Sequence, residues 1–464
     1  MNAPMLWIVF PLAVALVLFV IRRRRRLTAA LGAFVCLFLS LTALVVEVDV
    51  PIDARFFQFT IRSELLVLGR SFSIAGSELP WLAVLFSAGT IWFVWILLIQ
   101  QRPIYVPLGL AIITGMVAAI TVRPFIYAAL ILEIVSIAYI PFMVSEGARV
   151  TRGVLRFLIY QTLGVPLLLF AGWLLAGGEI APISGTTLTQ SAVMLGLGFA
   201  LWFGVFPFYS WIPMISEEVS PLVSGFVFSI HPLAVLIFLL DFLNTYPWLR
   251  EFPALYIAFR WLGLIMIITG GLWAIFEQKV IKMIGYGALV SSGLALLSLG
   301  IRGVSGMQLL TYSIIPRMVS LIVLSSSLVI LLNKQSDTQV QDMQGYLWKT
   351  PTSTTAFLLA LFSLAGVPCL PYFPLLTGLL IELTARSSGL LIPLFIGIIP
   401  FIINGYRLLN IHFRRKEDIQ REGEPLAIRI LLIFLISALI LIGIFPSILQ
   451  PLQTQLINHY PFLL

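Results

Sequence analysis

"YAALILEIVSIAYIPFM", residues 127–143, is apolar enough to lie against lipid tails, yet it carries a carboxylate, Glu133, near its middle. A carboxylate means one thing in an aqueous core and another in a bilayer, so the solvent of the whole chain decides the fold. Of 464 residues, 60% are hydrophobic and 10% charged, whereas a soluble domain has about 25% charged residues. Mean hydropathy is +1.05. The chain reads as an all-α polytopic membrane protein.

Soluble-enzyme chemistry has no visible home. Cys36 and Cys369 both lie in apolar runs and read as small core hydrophobes, too few for a disulfide framework or a thiolate metal site. His231, His412 and His459 form no HExxH pair, and no GxxxxGKS phosphate loop occurs. No cofactor or metal is expected, and no quinone or flavin site is visible.

A spanning helix needs about 20 mostly apolar residues. Suitable runs lie near 5–21, 27–46, 80–99, 104–121, 123–144, 154–177 and 190–212. They continue near 221–243, 256–276, 280–300, 308–332, 354–383, 389–411 and 427–448, giving about fourteen spans in one membrane domain. The breaks at 47–79 and 333–353 are too short for an aqueous domain.

Short loops rich in Lys and Arg stay on the cytoplasmic side. Loops of one parity hold Arg22 to Arg26, Arg102, Arg149, Arg152, Arg156, Lys279, Lys282, Lys334, Lys349, Arg414, Arg415, Lys416 and Arg421. The other parity holds Arg55, Arg62, Arg70, Arg123, Arg250, Arg302 and Arg386. Both termini are therefore expected on the non-cytoplasmic side, in a prokaryotic plasma membrane. The arginine pentad, wedged between two spans, is a topology anchor that meets anionic headgroups rather than a nucleic-acid patch. The net charge of +8 has the same origin. The first span leads straight into Arg22 without a small-residue cleavage pattern, so a cleaved signal peptide is not expected.

Two spans carry prolines that remove backbone donors and clash with the preceding turn. "FGVFPFYSWIPMISEEVSP" holds Pro207 and Pro213; "LFSLAGVPCLPYFPLLTG" holds Pro368, Pro371 and Pro374. The breaks fall in spans seven and twelve. Spans four to eight and nine to thirteen are then corresponding five-helix units, and an odd span number inverts the second. Paired interrupted helices mark a transporter-like inverted repeat, expected over 79–245 and 246–411, with flanking helices at 5–46 and 427–448.

An ionised Glu133 costs about 2.5–3.5 kcal/mol at the centre of a span. Ala129 (i−4) and Ser136 (i+3) are small or polar, so this face is expected to pack against protein. Such a carboxylate either titrates or pairs with a cation; hydrogen-bonded and protonated inside the bundle, it has a purely structural alternative. Arg317, after Pro316 and flanked by Ser313 and Ser320, keeps its proton and is expected to act as an electrostatic element rather than a relay; a purely structural counter-ion is the competing reading. His231, before Pro232, titrates near neutrality and is the next candidate carrier; a satisfied core histidine is the competing reading. Asp241 and Glu382, near outer span ends, are expected in contact with water. All five lysines lie in or beside cytoplasmic loops, and none is deep in the membrane.

Four stretches, "LILEIVSIAYIPF", "FPFYSWIP", "QKVIKMIGYGALVSSG" and "LFSLAGVPCLPYF", together resemble the antiporter-like membrane subunits of respiratory complex I and its relatives. Those relatives include cation/proton antiporter and membrane-hydrogenase subunits, and the likeness covers roughly 80–410. It implies fourteen helices, two inverted five-helix repeats and a mid-membrane polar axis carrying protons. It also implies neighbouring membrane subunits and a hydrophilic redox module, with this chain a non-catalytic subunit. Glu133 falls on the family's glutamate, which there pairs with a broken-helix lysine; Lys282 falls on a basic position before the tenth span.

The family's other titratable positions differ here. The broken-helix lysine is Trp202; the next span's lysine falls at Leu233 or Ala234; the residue after the second break is Leu375 or Leu376; the histidine is Ser291. Arg317 lies close to a lysine position. Three functions follow from this mixture: a proton-translocating subunit with a weakened or rerouted path, a scaffold without conduction, or a stand-alone ion or solute transporter.

Overall fold

The computed structural model describes residues 2–464 except 55–56, 68, 145–146, 177–184, 333–338 and 415–422. Arg55, Lys334, Arg415, Lys416 and Arg421, used above to orient the chain, lie outside the described residues. The protein is almost wholly helical. In chain order the helices are α1 (Phe10–Val20), α2 (Arg25–Val45), α3 (Leu79–Ile99), α4 (Tyr105–Thr121), α5 (Ala128–Met143), α6 (Arg152–Ala176), α7 (Gly185–Phe203), α8 (Trp211–Glu218), α9 (Pro221–Thr245) and α10 (Pro247–Arg250). There follow α11 (Pro253–Phe276), α12 (Met283–Leu299), α13 (Val304–Leu332), α14 (Tyr346–Lys349), α15 (Pro351–Leu364), α16 (Tyr372–Arg386), α17 (Leu391–Phe413), α18 (Leu426–Ile444) and α19 (Gln450–Asn458). Among the described residues, 11 helices are long and apolar enough to cross a membrane. The chain is an integral membrane protein.

Helices dominate because backbone polar groups in hydrocarbon must be satisfied within the segment. The sequence reading missed two small antiparallel pairings in the break at 47–79. β1 (Pro51–Ala54) pairs with β2 (Phe57–Thr60), and β3 (Glu64–Val67) with β4 (Arg70–Ser73), which also meets β5 (Val122–Arg123). Strands of four residues are too short for a period-2 pattern to stand out.

Backbone contacts divide the chain into two compact units. The first comprises 1–203, 230–249 and 458–460; in it α2 lies along α3, α4 packs on α1 and α5, and α6 lies along α7. The second comprises 204–229, 250–457 and 461–464. Its centre is α12, buried along its whole length, with α8, α11 and α13 against it. Lipid tails are as apolar as leucine, so helices in a bilayer associate through close packing at small residues. Gly263 of α11 meets Gly293 of α12, where a Cβ would stand 2.6 Å from a carbonyl oxygen. Cys36 is buried as expected, but Cys369 is exposed, because it lies in the second helix break rather than inside a helix.

Candidate functional site

Glu133 lies on the boundary of two faces of α5. Ala129, Leu132, Val135, Ser136 and Tyr139 are buried, whereas Ile134 is 67% and Ile137 52% exposed. The carboxylate reaches sideways to α6, where Thr162 Oγ1 donates to Oε1 at 2.7 Å. Oε2 is buried and has no hydrogen-bond partner. Thr162 is exposed, with Ile159 and Leu163 also exposed on the same helix. Ala129 and Ser136 do pack inward, but the acid itself stands at the rim of its unit, half-exposed. Helical spacing fixes a residue's angle on its own helix, not where the neighbouring helix ends.

His231 is buried, with neither ring nitrogen hydrogen-bonded. It sits between the edges of Tyr139 on α5 (ring centroids 5.9 Å) and Phe157 on α6 (5.5 Å). Tyr139 is six residues beyond Glu133, about 9 Å along the helix. His231, on α9, therefore packs against the α5/α6 pair at a level about 9 Å along α5 from Glu133.

The first break separates α7 from α8, at Gly204, whose φ of +66° a glycine adopts freely. Pro207 lies in the break, before a short 3-10 turn, Phe208–Ser210. Pro213 does not break anything. It falls in the first turn of α8, where a missing N–H costs no intrahelical bond. Trp202, at the family's lysine position, occupies the last turn before the break. Its Nε1–H donates to the Gln161 carbonyl at 2.8 Å, and Gln161 Nε2 returns a bond to the Trp202 carbonyl at 3.4 Å. The indole lies over Gly164, where a Cβ would come within 2.2 Å of it, and joins Phe199 and Phe238 in an aromatic cluster. Three aromatic rings thus fill this place. Leu233, Ala234 and Leu375 are likewise buried.

The second break, 365–371, separates α15 from α16 and contains Pro368 and Pro371, with Gly366 at φ +74°. Unwound backbone at membrane depth needs partners. The Tyr312 hydroxyl of α13 provides one, donating to the Pro371 carbonyl at 2.9 Å, and Ser320 and Ser363 bond across α13 and α15 at 2.8 Å. Tyr372, opening α16, is fully buried.

Arg317 is buried and Nη2 donates to the Phe228 carbonyl at 3.0 Å. That acceptor has a cause in sequence: Phe228 is four residues before Pro232, which has no N–H to return. The guanidinium replaces the donor that proline removed. Arg317→Met is expected to leave this carbonyl unmet and lower stability by about 1–3 kcal/mol. Pro232→Ala restores a backbone donor and is expected to recover part of the loss, measured by thermal unfolding of the detergent-solubilised single and double variants. Additive losses in the double variant would refute the pairing.

Lys282, just before α12, belongs to a separate charged cluster. Its Nζ is 3.0 Å from Glu217 and 3.2 Å from Glu277. Lys279 also pairs with Glu217, and the Tyr286 hydroxyl donates to Glu277 at 3.2 Å. The sequence reading named the lysine but neither carboxylate; Glu217 is more than 60 residues away in the chain, whereas Glu277 lies close by in sequence. Glu382 ion-pairs with Arg386 at 3.0 Å. A further group, missed entirely, joins buried Glu78 to Arg123 at 3.1 Å. Burial holds the Glu78 carboxyl above the usual carboxylate range, with Arg123 and the Ala75 amide pulling the other way. Asp241 interacts electrostatically with both Glu78 and Arg123.

The chain is thus a mostly helical membrane protein with two interrupted helices, a glutamate inside an apolar helix and charged clusters at helix ends. The family model for the transmembrane region of NADH:quinone oxidoreductase/Mrp antiporter proteins matches residues 123–399, more than half of the chain. The protein belongs to that family. NADH-quinone oxidoreductase subunit N of Francisella tularensis subsp. holarctica is 25% identical over 291 residues, 61% of this chain and 59% of that relative. The alignment thus spans less than two thirds of that protein. A chain of the membrane-bound sulfane sulfur reductase, an archaeal respiratory membrane complex, has a TM-score of 0.80 at 15% identity, over the full length of both chains. A chain of respiratory complex I from Thermus thermophilus with bound NADH has a TM-score of 0.77 at 17% identity, over 99% of each. At these identities the two structures share the fold.

Proposed function

We propose that this chain is an antiporter-like membrane subunit of a complex I-type redox assembly, contributing to proton translocation along a divergent route. The observation that carries the proposal is the position of Glu133. A carboxylate left facing lipid is costly, and a structural residue under no other demand would have been apolar. Its half-exposed face, shared with Thr162 and flanked by Ile134, Ile137, Ile159 and Leu163, is suited to be covered by a neighbouring membrane subunit. In that setting Glu133 binds and releases the proton through its unpartnered Oε2.

His231, on α9, is the second titratable group, set against Tyr139 and Phe157 of the same α5/α6 pair. Arg317 is a fixed charge at the second break, and Lys282 with Glu217 and Glu277 forms a charged mouth at the helix ends. The inverted repeats, 79–245 and 246–411, bring the broken helices into corresponding positions. The assembly lies in a prokaryotic plasma membrane with both termini non-cytoplasmic, driven by a hydrophilic redox module. A scaffold role without conduction is favoured by one specific observation: Trp202 and its aromatic neighbours occupy the place where the family carries a lysine.

Affinity purification of the tagged chain from its native membrane is expected to bring other membrane subunits and hydrophilic redox subunits with it. Recovery of the chain alone, with ion or solute uptake after reconstitution in liposomes, would instead make it a free-standing transporter.

A further inference from the structure

Where α11 approaches the end of α16 and the start of α17, an open groove of about 620 Å³ is lined by Ile257, Arg260, Trp261, Thr384, Arg386 and Ser387 among others. Arg260 is half-buried, its stem packed on Gly300 so closely that a Cβ there would come within 2.6 Å of the arginine Cγ. Its head is held by the Tyr256 carbonyl (3.4 Å) and by Ser387 Oγ (2.8 Å). Among the described residues no carboxylate pairs with it. Arg386 is fixed as firmly, donating to the Ile301 carbonyl at 3.0 Å and ion-paired with Glu382 at 3.0 Å. Of the two guanidinium groups only Arg386 has a carboxylate partner among the described residues, and Arg260 leaves the groove a positive charge that none of them balances.

We propose that this groove binds the phosphodiester headgroup of an anionic phospholipid. Guanidinium presents a planar fork of donors that matches phosphate oxygens in pairs, and the Ser387 and Thr384 hydroxyls add neutral partners. The lip is apolar where Ile257 and Trp261 of α11 line it, both of them exposed. Acyl chains lie along that surface while the phosphate meets the arginines, and a tryptophan at this level suits the boundary between hydrocarbon and headgroups. The apolar lip is what selects a lipid over a soluble anion. The proposal depends on membrane insertion alone and is independent of any proton route.

Trp261 reports on occupancy. The full chain is reconstituted in phosphatidylcholine vesicles containing a minor fraction of brominated phosphatidylglycerol or, in parallel, brominated phosphatidylcholine. The fluorescence of a Trp261→Phe variant is subtracted to isolate this residue. Quenching by the anionic lipid is expected to exceed that by the zwitterionic lipid on the order of fivefold, to fall to parity in Arg260→Gln, and to be partly kept in Arg260→Lys. Millimolar inorganic phosphate is expected to leave it unchanged. Equal quenching by the two lipids in the unmodified protein would overturn the proposal, as would an undiminished preference in both Arg260 variants. Displacement by inorganic phosphate would assign the groove to a soluble anion and overturn it too.

Discussion

Gly271→Leu is expected to keep the protein from accumulating in the membrane. A Cβ at Gly271 would stand 1.9 Å from the Gly397 carbonyl oxygen, and a Cβ at Gly397 would meet the backbone of Ile267 at 2.7 Å. Helices α11 and α17 touch backbone to backbone, so no side chain can swing aside. Overpacking typically costs about 1–3 kcal/mol, out of a net stability of about 5–15 kcal/mol, and a backbone collision belongs at or beyond the upper end. Losses of about 1–2 kcal/mol already change cellular abundance several-fold. Immunoblotting of isolated membranes, with thermal unfolding of whatever protein is recovered, checks this. Gly196→Ala is the control, since a Cβ there meets nothing within 4 Å, and its level is expected to match the unmodified protein. Normal abundance of Gly271→Leu would show that the two helices do not pack as described.

The second large effect is functional. Glu133→Gln keeps the size of the side chain and an amide oxygen that still accepts from Thr162, so folding and assembly are expected to be unchanged. It removes the only group on α5 that can exchange a proton at accessible pH. Positioned proton-transfer groups contribute about 10²–10⁴-fold in rate, so transfer through this subunit is expected to slow by about 100-fold or more. Glu133→Asp retains a titratable oxygen on a shorter arm, and a partial rate is expected from it.

Composition and the spacing of apolar runs were enough to read a helical membrane chain, because spanning length and backbone satisfaction leave few alternatives. The breaks were legible through their prolines, but not which proline mattered. Pro207 and Pro213 look alike in sequence; only the helix start at Trp211 makes the second harmless, and the positive φ in the break falls on Gly204. Glu133 stood out because its residue type is rare at that depth. Its half-exposure did not, since that depends on where α6 lies. The pairing of Lys282 with Glu217 arises from chain segments brought together by folding, whereas the hairpin at 64–73 is local but built from strands of four residues. The acceptor of Arg317 was within reach: a proline inside a helix frees the carbonyl four residues earlier, and Pro232 points to Phe228.

The most direct test is the number of protons translocated per electron pair by the assembled complex carrying Glu133→Gln, with electron transfer and subunit content measured in the same preparation. The proposed role requires a lower proton yield with assembly intact, partly restored by Glu133→Asp. An unaltered yield in a fully assembled Glu133→Gln complex would remove proton handling from this chain and leave it a scaffold.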